Sequence, residues 1–136
     1  MATRRRTRSL ALQALYEADS SGHKADDILA RIMKEQRLNP ESNSFIHELV
    51  DGVVKNSSEI DARIKEFAPT WPIRQLPLID RNILRLAIFE ILHDNKAPIK
   101  VAINEAVELA KKFGSDGSAK FVNGVLSSVS KLIKDR

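Results

Sequence analysis

The sequence predicts an all-α protein of about seven helices joined by short connections. Apolar residues recur at helical spacing along almost the whole 136-residue chain. No segment alternates with period two through β-branched residues, and neither Asp116-Gly117 nor Asn123-Gly124 is flanked by strand patterns. Glycine, proline and Asn-Ser clusters separate the apolar stripes.

Each element follows from its own residues. Leu10, Ala11, Ala14, Leu15 and Ala18 form the stripe of a first helix, which Ser20-Ser21-Gly22 ends. Ile28, Leu29, Ile32 and Met33 mark a second, closed by Asn39-Pro40. Ser42 or Asn43 caps a third, with Phe45, Ile46, Leu49, Val50 and Val53 inward. Asn56-Ser57-Ser58 offers caps for a fourth, carrying Ile60, Ile64 and Phe67. The connector Pro69-Thr70-Trp71-Pro72 disfavours helix. Pro77 suits the first turn of a fifth helix, apolar around most of its circumference from Leu78 to Leu92 and therefore central. Pro98 opens a sixth, with Val101, Ala102, Ala106, Leu109, Ala110 and Phe113 inward and Gly114 as a left-handed cap. The last helix carries Phe121, Val122, Val125, Leu126, Val129, Leu132 and Ile133. Residues 1–136 read as one domain, with a subdomain break near 69–77.

The net charge is +4 at a sequence pI near 9.5, a balance that suits a polyanionic partner. It is unevenly spread: net +3 over residues 1–24, −3 over 25–68 and +4 over 69–136. There is no cysteine, which excludes disulfides and thiolate metal sites. No apolar run approaches ~18 residues and no secretory signal pattern opens the chain, so the expected location is cytoplasmic. His23, His47 and His93 lack ligand spacing, and no phosphate-binding glycine loop or nucleophile elbow occurs. Glu105 and Glu108 precede Lys111 and Lys112 at ion-pair spacing. The sequence thus offers little in the way of catalytic, metal-binding or cofactor-binding motifs.

Two clusters remain as binding candidates. Arg4, Arg5, Arg6 and Arg8 crowd a helix start, where the macrodipole disfavours cations. That local conflict points to a use for the charge, nucleic-acid binding being the first candidate and a solvated, frayed terminus the alternative. Ser118-Ala119-Lys120-Phe121-Val122-Asn123-Gly124 combines a helix start and a lysine for phosphate, a ring for stacking and an amide for a base edge. Its alternative is a core Phe121, with Gly124 permitting close helix packing. Asp80, Arg81 and Arg85 form a polar edge on the fifth helix, open to dipole and ion-pair roles or to a partner.

Arg4-Arg5-Arg6 followed by Ala11-Leu12-Gln13-Ala14-Leu15-Tyr16 resembles the opening of the NusB family of bacterial transcription antitermination factors. The run from Asp80-Arg81 through Ile83-Leu84-Arg85-Leu86-Ala87 to Phe89-Glu90 is similar to that family's central helix. Val101 to Gly114, followed by Ser118, Lys120-Phe121-Val122-Asn123-Gly124 and Val125-Leu126, carries the most specific match. The resemblance implies two packed helical bundles in one compact domain and no enzymatic activity. It implies binding of boxA, a single-stranded RNA element of ribosomal RNA transcripts, together with NusE, a small-subunit ribosomal protein. The setting it implies is an RNA polymerase antitermination complex. Arg4, Arg5, Arg6, Arg8, Gln13, Lys120, Phe121 and Asn123 would then meet RNA, and Tyr16 and Asp80 would face NusE. A homodimer through the same face is compatible with the sequence. Two positions depart from the family pattern: Gly117 and Ser127 each stand where an acid is common. A related helical domain occurs fused to ribosomal RNA cytosine methyltransferases, but their catalytic cysteines have no counterpart here. The competing class is a helical adaptor that binds protein alone.

Overall fold

The computed structural model describes residues 3–68, 70, 72–94 and 96–133. The described residues form seven α-helices: α1 (Arg4–Ser21), α2 (Ala25–Gln36), α3 (Pro40–Lys55), α4 (Ser57–Phe67), α5 (Leu78–Phe89), α6 (Ile99–Phe113) and α7 (Ser118–Ser130). A short 3₁₀ turn, Ile73–Gln75, precedes α5, and a π-helical turn, Glu90–Asp94, extends it. The chain divides into two units, Met1–Lys55 and Asn56–Arg136. The proline-bounded connector lies inside the second; its Pro69 and Trp71 fall outside the described residues.

In the first unit α1 packs on α2 and α3. Leu12, Leu29, Ile46 and Leu49 are fully buried. Each such aliphatic side chain stabilises the unit by about 1.5–3 kcal/mol through the area it removes from water. Thr3 caps α1: its Oγ1 accepts the Arg6 N–H at 3.1 Å. Gly22 closes α1 at φ 78, a left-handed turn that glycine adopts without strain. The end of α2 differs from the sequence expectation. It stops at Gln36 because Arg37 turns left-handed at φ 49, with its N–H on the Met33 carbonyl. Asn39, rather than Ser42 or Asn43, caps α3. Its Oδ1 accepts the Ser42 N–H at 2.8 Å, with Pro40 opening the first turn.

In the second unit α5 is central, as its all-round apolar pattern predicts, and packs against α4, α6 and α7. Ile83, Leu84, Leu86 and Ile88 are fully buried on it. Asn82 is buried too, and its Nδ2 donates to the Leu78 carbonyl one turn back at 2.8 Å. The four-residue connector from Gly114 to Gly117 folds α7 back along α6. Gly114 is not the left-handed cap the sequence predicts: its φ is −91 and ψ −171. Its glycine is needed for space, because a Cβ there would lie 2.5 Å from the Ser118 Cβ and Oγ.

Candidate nucleic-acid interface

The N-terminal arginines diverge once folded. Helical spacing puts Arg4 and Arg8 on one face of α1, and both reach the Phe45 ring of α3, at 4.1 and 5.4 Å from its centroid. A guanidinium over a ring face gains about 0.5–1 kcal/mol at exposed sites and more when desolvated. Arg4 also lies 3.8 Å from Glu41. Arg8 is only 5% exposed, so its charge is turned inward. Arg5 and Arg6 stay on the surface, with Arg6 Nη2 donating to Gln36 Oε1. Gln13 is exposed one face over, its Nε2 3.5 Å from Ser9 Oγ. The ring that accepts the two arginines was legible only as an inward residue of α3; nothing in one dimension pairs it with Arg4 and Arg8.

The second cluster belongs to the other unit. Lys120 and Asn123 are exposed on α7, and Phe121 is half-buried. Lys120, Phe121, Gly124 and Val125 form one wall of a groove of about 540 Å³, and Phe67, Ala68 and Thr70 at the end of α4 form the other. Gly117 lines its rim. The groove therefore has a cation at its mouth, two rings in its walls and a helix start beside it, a combination that suits a flat anionic ligand such as a nucleotide. Gly124 does not serve close helix packing: a Cβ there would meet nothing within 4 Å. Phe67 and Thr70 escaped the sequence reading because their proximity to Phe121 is tertiary.

The two residues assigned to a protein partner part company. Tyr16 is 37% exposed on α1. Asp80 is 5% exposed, and its Oδ1 accepts a 2.6 Å hydrogen bond from Ser118 Oγ. A carboxylate so enclosed presents almost nothing to a partner. The rest of that polar edge is also engaged internally: Arg85 makes a two-pronged contact with Asp61 of α4 at 2.8 and 3.0 Å, and Arg81 Nη1 donates to the Ile73 carbonyl at 3.2 Å. Among the described residues no acidic or histidine cluster could hold a metal, and no helix is long and apolar enough to cross a membrane.

Fold and surface together define an all-α protein with a basic helix start in one unit and a cation-rimmed aromatic groove in the other. The NusB family model matches residues 5–131, and the chain belongs to that family. It is 56% identical over 133 residues to the transcription antitermination protein NusB of Dehalococcoides mccartyi, covering 98% of this chain and 93% of that protein. The solved structure of T. maritima NusB is similar at a TM-score of 0.90 and 34% identity, over 96% of this chain and 92% of that one. A crystal structure of antitermination factors NusB and NusE in complex with dsRNA contains a chain similar at a TM-score of 0.87 and 29% identity, over 95% of this chain and 96% of that one. The family's function is transcription antitermination, and on that ground the chain is not an enzyme.

Proposed function

We propose that this chain binds boxA-type single-stranded RNA of ribosomal RNA transcripts together with NusE, within an RNA polymerase antitermination complex. The observation that carries the reading is the α4–α7 groove, with Lys120 at its mouth and the Phe121 ring in its wall. Lys120 neutralises a phosphate, Phe121 stacks a base, and Asn123 lies one helical step away on the exposed side. Arg5, Arg6 and Gln13 contribute from α1, while Arg4 and Arg8 are shared with Phe45. Tyr16 is the candidate for the NusE face, with an apolar body and a polar tip suited to an interface. The likeness to a chain of the NusB–NusE structure solved with dsRNA supports a partnership with RNA and NusE in general terms.

The inward turn of Arg8 favours a second reading, a helical adaptor that binds protein alone. Fluorescence anisotropy with a boxA-type oligoribonucleotide, with and without NusE, separates the two. The RNA reading expects weak binding alone and tighter binding with NusE, since linkage makes each ligand strengthen the other. NusE binding with no RNA binding under either condition would leave the adaptor.

A further inference from the structure

α7 begins without a side-chain cap. Its cap position is Gly117, which has no side chain to offer; the Ser118 N–H is held instead by the Ser115 carbonyl at 3.0 Å. The first amides of a helix have no intrahelical acceptors, so an uncapped start frays. Lys120 and Phe121 are the third and fourth residues of this helix. The turn that presents the groove's cation and ring thus has no side-chain cap of its own.

A carboxylate from another helix holds this turn through the Ser118 side chain. Asp80 stands in the first turn of α5, 5% exposed, and its Oδ1 accepts a hydrogen bond from the Ser118 hydroxyl at 2.6 Å. Ser118 is itself 1% exposed. Its oxygen accepts the Ser115 N–H at 2.9 Å, so the hydroxyl both donates and accepts. Gly114 lies against the same side chain with no room for a Cβ. Ser118 is therefore held by α5, by the connector and by close packing. The Asp80 charge also sits near the positive end of the α7 dipole, where an anion is favoured.

We infer that Asp80 is a positioning residue for the RNA groove: through Ser118 it holds the first turn of α7 in the geometry that presents Lys120 and Phe121. The inference rests on the RNA reading above and assigns Asp80 an internal role rather than a partner contact. Without the link, only a fraction of molecules has the turn formed, and the apparent affinity falls by that fraction.

The test compares wild type, Asp80→Ala, Ser118→Ala, the double variant and Asp80→Asn, whose amide oxygen accepts the same hydroxyl. Two quantities are read: anisotropy with a single-stranded boxA-type oligoribonucleotide, and amide hydrogen exchange along the free chain. Asp80→Ala and Ser118→Ala should each weaken RNA binding about tenfold, as expected for a hydrogen bond to a charged group. The double variant should be no weaker than either, and Asp80→Asn should restore most of the affinity. Exchange at residues 121–124, the first amides of α7 with helical acceptors, should rise about tenfold, with the α5 core amides unchanged. Wild-type affinity in Asp80→Ala, fully additive effects, no rescue by Asp80→Asn, or exchange rising evenly through α5, α6 and α7 would each overturn the inference. Should Asp80→Ala fail to fold, Ser118→Ala carries both arms. A wild-type chain that does not bind the probe with or without NusE overturns the RNA reading, and the exchange arm alone then upholds or overturns the hold of Asp80 on α7.

Discussion

Phe121 stands half-buried and lines the groove. Truncation therefore acts on both binding and folding, and the two can be weighed. Phe121→Ala should cost about 1–3 kcal/mol of RNA affinity through lost stacking. Its stability cost should stay below the roughly 3–5 kcal/mol of a fully enclosed phenylalanine. Thermal unfolding and RNA titration of the same variant check this, and a large loss of stability with unchanged RNA binding would remove the ring from the site. The residue scale is also where the sequence was hardest to read. Residue type and spacing located Lys120, Phe121 and Asn123 on one helix start, because i, i+1 and i+3 relations are local. They could not show that Phe45 takes up Arg4 and Arg8, nor that Asp80 answers Ser118, a partner 38 positions away. Spacing along one chain says nothing of which distant side chain comes to meet it.

The helices themselves were legible because their signals are local. Gly22, Pro77 and Pro98 mark ends or starts where the structure has them. Competing local signals explain the differences: Asn39 outcompetes Ser42 as a cap because Pro40 fixes the first turn behind it, and Gly114 serves contact rather than φ. Gly124 offers a prediction of opposite signs. It lies inside α7 with open space around it, so Gly124→Ala should raise stability by about 0.5–1 kcal/mol from helix propensity. The added methyl group narrows the groove, so RNA affinity should fall; denaturant unfolding and anisotropy together check the pair, and equal or tighter RNA binding would show that this part of the groove wall is not used. The α4–α5 junction offers another. Asp61 and Arg85 are 30% and 17% exposed and meet through two hydrogen bonds. Asp61→Ala takes the carboxylate from a mostly enclosed guanidinium, so it should cost about 1–3 kcal/mol in urea unfolding. A loss under about 0.5 kcal/mol would mean that water replaces the carboxylate at little cost.

Across the whole chain, the +4 excess hides two basic stretches flanking an acidic one, a pattern visible from the sequence alone. What the sequence could not show is how much of that charge faces solvent: Arg8 is enclosed and Arg4 is shared with Glu41. With about three phosphates neutralised, log K for single-stranded RNA should fall with log salt at a slope of roughly −2. A flat salt titration would exclude phosphate contacts as the source of affinity. The close approach of Gly114 to Ser118 has a kinetic consequence. It closes a four-residue connection between two long helices of the second unit, so the α6–α7 hairpin needs little chain entropy to form. Such a hairpin is a natural nucleus, with its native contacts in place at the transition state. Gly114→Ala should then slow refolding in stopped-flow measurements while leaving the unfolding limb of the chevron nearly unchanged, whereas a purely faster unfolding limb would place the formation of this turn after the barrier.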